Sequence, residues 1–141
     1  EELLIIRNHI HPSLNQQVNP VISLTDIERM RSLVDQIYMD EKIENYIVSL
    51  IFATRNPSEH GINDLANFIS FGASPRGSIN LAMAAKAHAF LKGRAFVIPD
   101  DVQAMASDVL KHRIGVTYEA EVANLKPEDL IQQIISRVEV P

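Results

Sequence analysis

Gly72-Ala73-Ser74-Pro75-Arg76-Gly77-Ser78-Ile79-Asn80-Leu81-Ala82-Met83-Ala84-Ala85-Lys86-Ala87-His88-Ala89-Phe90-Leu91-Lys92-Gly93 reads as one long helix with both ends marked. Ser74 can cap the orphan amides, and Pro75 suits the first helical position because its missing N–H and fixed φ cost nothing there. Gly93 is a good helix C-terminal residue. The middle is so rich in alanine that neighbouring helices can approach closely, which places this helix across the centre of the domain. Ile79, Ala82, Met83, Ala87 and Phe90 are its expected apolar positions, and the Met83 face is expected to be core. Arg76 falls at the second helical position, beside amides carrying the positive end of the helix dipole, where an anion is favoured and a lone cation is not. Arginine also has the planar fork that matches phosphate or carboxylate with two parallel hydrogen bonds. Local chemistry leaves two readings open: an anion site built on Arg76, or a helix start with a solvated arginine.

Helical periodicity continues on both sides. Leu24, Ile27, Leu33, Val34 and Ile37 follow Ser23 and predict an amphipathic helix over 24–37, with Thr25 and Glu28 at capping-box spacing. Asp40 caps the next helix, whose Ile43, Ile47, Leu50 and Ile51 share a face with Thr54 and which ends near Asn56-Pro57. Residues 57–73 read as a long connection in which Ile62, Leu65 and Phe68 could form a turn or two. Phe96-Val97-Ile98 is extended, and Pro99-Asp100-Asp101-Val102 places a proline and two acids at a helix start. Val102, Met105, Ala106, Val109 and Leu110 form that helix's stripe, and Lys111-His112-Arg113 and Gly115 close it. Lys126-Pro127-Glu128-Asp129 opens a last helix carrying Leu130, Ile131, Ile134, Ile135 and Val138. The expected fold class is all-α, a small helical bundle of four or five main helices.

Composition narrows the functions. The 141 residues, 46% hydrophobic and 22% charged, suit one globular domain with a real core. A formal charge of -5 argues against a duplex nucleic acid as a partner. No apolar stretch approaches the roughly 18 to 20 residues of a membrane span, so no membrane partner is expected. There is no cysteine, which fits a reducing, cytoplasmic compartment and removes thiol chemistry. His9, His11, His60, His88 and His112 are scattered without metal-ligand spacing, so no metal site is expected and surface imidazoles are the ordinary reading. Asp100 and Asp101 could pair as catalytic carboxylates, but their place favours capping. No phosphate-binding G-x-x-x-x-G-K-[ST] loop occurs, so the chain alone should not hydrolyse nucleotide. The acidic opening Glu1-Glu2-Leu3-Leu4 reads as a cut into a longer chain more than as a signal peptide.

Four segments in order resemble the C-terminal lid of the MoxR family of AAA+ ATPases, related to the ATPase subunit of magnesium chelatase. They are Tyr46-Ile47-Val48 through Ala53-Thr54-Arg55; Gly72-Ala73-Ser74-Pro75-Arg76; Lys92-Gly93-Arg94-Ala95-Phe96-Val97-Ile98-Pro99-Asp100-Asp101-Val102; and Val109-Leu110-Lys111-His112-Arg113-Ile114, with Val138-Glu139-Val140-Pro141 closing the similarity. The resemblance implies that residues 1–22 lead from an ATPase core into a lid formed by residues 23–141. It implies that Arg76 is the second-sensor arginine facing the terminal phosphate of ATP, with Ser74 and Pro75 shaping its turn. ATP and Mg²⁺ are then cofactors of the full-length protein, and none should bind tightly to this part alone. The implied partners are the N-terminal AAA+ core of the same chain, further copies in a hexameric ring, and clients of von Willebrand type or metalloenzymes. Gly77 stands where the family often has alanine. Arg55, Arg94 and Arg113 lie in the matching segments and are expected in helix-end or inter-helix ion pairs. A free-standing helical adaptor without a nucleotide role is the alternative reading.

Overall fold

A computed structural model describes Leu3 and residues 19–141. Two units are distinguished, residues 1–31 and the compact body Ser32–Pro141. The described residues form six α-helices: α1 (Leu24–Asp35), α2 (Glu41–Arg55), α3 (Pro75–Leu91), α4 (Pro99–Leu110), α5 (Tyr118–Val122) and α6 (Pro127–Arg137). Two short strands, β1 (Ile69–Phe71) and β2 (Gly115–Val116), pair antiparallel with Ile69 opposite Val116 and Phe71 opposite Gly115. The all-α expectation holds, with one helix of a single turn or so added to the five longer ones.

The helix starts follow local chemistry. Ser23 and Asp26 exchange side-chain and backbone hydrogen bonds at the start of α1 (Ser23 N–H to Asp26 Oδ2 2.9 Å, Asp26 N–H to Ser23 Oγ 3.1 Å). The box is therefore closed two positions earlier on each side than the Thr25–Glu28 spacing suggested, because Ser23 and not Thr25 lies outside the helix. No residue of α1 is buried, so its apolar periodicity does not become core among the described residues. Asp40 caps α2 by accepting from Lys42 N–H at 2.9 Å, as expected of an N-cap aspartate.

The core of the compact body lies where α2, α3, α4 and α6 meet. Ile47, Leu50 and Ile51 of α2, Leu81 of α3, Leu110 of α4 and Leu130, Ile131 and Ile134 of α6 are each at most 2% exposed. Each such side chain contributes about 1.5 to 3 kcal/mol of burial. Alanine does what its size allows: Ala85 and Ala89 of α3 and Ala106 of α4 are fully buried and let these two helices pack side by side. The buried stripe of α3 is Gly77, Leu81, Ala85 and Ala89, at intervals of four. This corrects the sequence expectation, which put Ile79 and Met83 inward; they are 59% and 63% exposed. Close helix approach selects the smallest side chains for the inward face and leaves the larger ones outside.

Residues 57–73 are more ordered than a plain connection. Pro57–His60 and Asn63–Leu65 are 3-10 turns, Ile62 and Leu65 are 1% exposed, and β1 follows. Three residues carry too little alternation for this strand to show in the sequence. Phe96 makes an isolated parallel bridge with Tyr38, with Tyr38 N–H donating to Ala95 O and Val97 N–H to Tyr38 O, both at 2.9 Å, so that segment is extended as expected.

Candidate functional site

Ser74 is the N-cap of α3, with extended backbone (φ -75°, ψ 169°), Pro75 is the first helical residue and Arg76 the second. Arg76 is exposed and has no hydrogen-bond or ion-pair partner among the described residues. The Ser74 side chain makes no cap hydrogen bond, contrary to expectation; its carbonyl instead receives Gly77 N–H at 2.7 Å. The early turn is tightened by backbone, and the serine hydroxyl is left available. The first turns of the other five helices all carry acids, Asp26, Glu41 with Glu44, Asp100 with Asp101, Glu119 with Glu121, and Glu128 with Asp129. The first turn of α3 has none. Five helix dipoles are complemented from within the chain, and the sixth faces outward with a cation beside it. A guanidinium and a free hydroxyl at the positive end of the helix form a donor set that fits an anion such as phosphate.

The turn holding Arg76 is docked on the end of α2. Gly72 lies so close to that helix that a Cβ would fall 2.4 Å from Thr54 O and 2.6 Å from Arg55 N. Thr54 is buried; its hydroxyl donates to Ile51 O at 2.6 Å and accepts Ala73 N–H at 3.0 Å. Arg55 donates Nε–H to Ala73 O at 2.5 Å and lies over the Phe52 ring, 5.2 Å from its centre. The ion pair expected for Arg55 is thus replaced by a carbonyl contact. Arg113 similarly donates to Val109 O at 3.0 Å, a helix-end contact without a carboxylate.

Gly77 is buried, and a Cβ there would meet Ala73 Cβ and Ile51 Cδ1 at 3.2 Å and Leu110 Cδ2 at 3.4 Å. Gly77→Ala should therefore change unfolding free energy by less than about 1 kcal/mol, since the gain in helix propensity is offset by tight contacts. Urea denaturation of both forms checks this.

A second polar cluster joins α3 to α4. The α3 C-terminus closes with Gly93 in the left-handed region (φ 71°), its N–H on Phe90 O (2.9 Å) and Arg94 N–H on Ala89 O (3.0 Å). The chain then emerges so that Arg94 grips Asp101 with both terminal nitrogens, at 2.7 and 2.5 Å. Asp101, fully buried at the third position of α4, also accepts Ile98 N–H at 2.9 Å and contacts His88 Nδ1 at 2.7 Å. The capping expected of Asp101 is present, and so is the inter-helix pair expected of Arg94. His88 is no solvated imidazole: it lies on α3 one turn before the C-terminal motif and faces this carboxylate. Burial pushes the Asp101 carboxyl up, but the hydrogen bonds from Arg94, Ile98 N–H and His88 outweigh it and hold the pKa at about 2. This cluster is structural; Asp101 has no exposed surface to offer a substrate. Among the described residues no three His, Cys, Asp or Glu side chains converge as a metal site, and no helix is long and apolar enough to cross a membrane.

Comparison with known proteins agrees with this geometry. The profile of the AAA lid domain family matches residues 64–134, about half of the chain, and spans β1, the Arg76 turn, α3, α4 and most of α6. The chain is 34% identical over 141 residues to Chaperone MoxR1 of Mycobacterium tuberculosis, covering 100% of this chain and 37% of that protein. It is 31% identical over 145 residues to Protein MoxR of Methylorubrum extorquens, covering 96% of this chain and 41% of the relative. A crystal structure of a Cytophaga hutchinsonii protein assigned as an ATPase superposes with a TM-score of 0.88 at 37% identity, over 99% of this chain and 42% of that one. The chain thus spans about two fifths of the length of these relatives. With its helical architecture and the order of its motifs, the chain belongs to the AAA lid domain family and is a lid of the MoxR type of AAA+ ATPase.

Proposed function

We propose that this lid contributes Arg76 as the second sensor of an ATPase, presenting its guanidinium to the terminal phosphate of ATP seated between lid and core. The observation that carries this reading is the α3 N-terminus: an exposed, unpartnered arginine at the second position, in the one first turn among the described helices that lacks an acid. Residues 1–22 lead from the core and residues 23–141 form the lid. ATP with Mg²⁺ supplies the phosphoryl chemistry in the full-length protein. Arg76 binds and orients the γ-phosphate with two charge-assisted hydrogen bonds and offsets charge that moves during hydrolysis. Ser74 and the first-turn amides of α3 extend the same positive end, with Pro75 fixing the direction of entry. Once the γ-phosphate leaves, the contact is lost and the lid is free to turn. In a hexameric ring that rotation shifts the neighbouring core and remodels a client of von Willebrand type or a metalloenzyme.

The test is Arg76→Ala in the full-length chain, with ATP turnover and ATP affinity measured together. Turnover should fall by about a hundred- to a thousandfold, the range for loss of one preorganised donor to charge that develops in the transition state. Arg76→Lys should recover only part, since an ammonium cannot form the two-pronged contact. Wild-type turnover and affinity in Arg76→Ala would remove the assignment.

A further inference from the structure

The polar groups that hold Ala73 act three residues before Arg76 in the chain. Ala73 is fully buried, and both of its backbone polar groups are held by adjacent side chains of α2: the N–H by the Thr54 hydroxyl at 3.0 Å, the carbonyl by Arg55 Nε at 2.5 Å. Thr54 is itself fixed, 1% exposed and donating to Ile51 O, and Arg55 is supported by the Phe52 ring. Arginine at a helix C-terminus ordinarily reaches the last carbonyls of its own helix, as Arg113 does with Val109 O, or a carboxylate. Arg55 does neither among the described residues; its hydrogen bond goes to a peptide 18 residues away. That peptide lies immediately before the Ser74 cap, so its orientation sets where α3 begins and in which direction the second helical residue projects.

We propose that Thr54 and Arg55 are positioning residues for Arg76, a two-point clamp on the two peptide groups flanking Ala73 that fixes the guanidinium relative to the phosphate. The inference rests on the reading of Arg76 as phosphate-facing. Its physical basis is the steep dependence of catalysis on placement, where a displacement of about 1 Å costs on the order of a hundredfold. The clamp acts through Arg76 alone, and this separates it from an ordinary packing contact.

The test uses the full-length ATPase and kcat and KM for ATP in Thr54→Val, Thr54→Ser, Arg55→Ala and Arg76→Ala, with Thr54→Val and Arg55→Ala each repeated in the Arg76→Ala background. Thr54→Val and Arg55→Ala should each lower kcat/KM by about tenfold, and Thr54→Ser, which keeps the hydroxyl, should stay within about twofold of wild type. In the Arg76→Ala background neither should cost more than about a further twofold, because their effect has lost its carrier. An equal tenfold loss in both backgrounds means the residues only hold the domain together and overturns the inference. Wild-type values for Thr54→Val and Arg55→Ala beside an impaired Arg76→Ala overturn it too, leaving the second sensor standing. An unimpaired Arg76→Ala sinks the sensor reading and the clamp with it. Arg55 is partly exposed, so Arg55→Ala keeps the test decisive should Thr54→Val fail to fold.

Discussion

Replacing Asp101 by alanine is expected to lower the stability of this chain by roughly 3 to 5 kcal/mol, as when one member of a buried ion pair is removed. Four hydrogen-bonding groups converge on its carboxylate: both terminal nitrogens of Arg94, Ile98 N–H and His88 Nδ1. Alanine leaves Arg94 and the start of α4 without their partner and opens a cavity between α3 and α4. The Arg94 side chain is 25% exposed, so water recovers part of its hydration and favours the lower end of the range. The melting temperature should fall by roughly 10 to 20 °C for a domain of this size. Thermal and urea unfolding measure it; a loss under about 1 kcal/mol would show that the network only repays its own desolvation.

The same carboxylate predicts a pH dependence. Its folded pKa of about 2 lies below the ordinary value of 3.8, so the contribution is complete above the unfolded pKa and lost as pH falls toward the folded one. The shift corresponds to roughly 2 to 3 kcal/mol, present at pH 6 and removed between about pH 4 and 2. Asp101→Asn cannot take part in that titration. The stability gap between wild type and Asp101→Asn should therefore be widest near neutrality and narrow below pH 4. Exposed carboxylates held low by partners, such as Asp64 beside Arg137, are present in both proteins and cancel in the difference. A gap that is constant from pH 6 to pH 2.5 contradicts the assignment.

The parts of this fold legible in the sequence are those set by chemistry within one turn. Asp40 marks a helix start through its side chain, Pro75, Gly93 and Pro99 mark helix ends through their backbone preferences, and each stands where its type requires. The helical position of Arg76 was legible for the same reason, since serine and proline stand before it. What the sequence could not show depends on residues far apart in the chain. The inward face of α3 is decided by how closely α4 approaches, and that distance favours Gly77, Ala85 and Ala89 over the larger Ile79 and Met83. His88 and Asp101 are 13 positions apart, and only the turn at Gly93 brings them together. Thr54 looked like one more residue on the α2 stripe, yet its hydroxyl is what joins α2 to the Arg76 turn. A signal was available in retrospect: a threonine followed by arginine at the end of an apolar helix face supplies a buried acceptor and a donor for which α2 itself has little use.

Gly72→Ala is the second large effect, and it connects stability to the site. The φ of Gly72 lies outside the left-handed region, so glycine is required there for space and not for conformation. The added Cβ would sit 2.4 Å from Thr54 O, 2.5 Å from Thr54 C and 2.6 Å from Arg55 N, all backbone atoms at the end of α2 that cannot rotate aside. Relief requires the 72–74 segment to retreat by about 1 Å, the difference from an ordinary van der Waals separation. That retreat stretches both hydrogen bonds to Ala73, at 3.0 and 2.5 Å, and strands a buried N–H and carbonyl. Overpacking of about 1 to 3 kcal/mol and weakened buried hydrogen bonds of about 1 kcal/mol or more together give an expected destabilisation of roughly 2 to 4 kcal/mol. Urea denaturation reads that loss. ATP turnover of the full-length protein should also drop at temperatures where the variant remains folded, because the displaced segment carries Arg76 with it. A stable, fully active Gly72→Ala would mean that the turn tolerates a shift of this size, and would contradict the close docking of Gly72 on α2 that underlies the placement of Arg76.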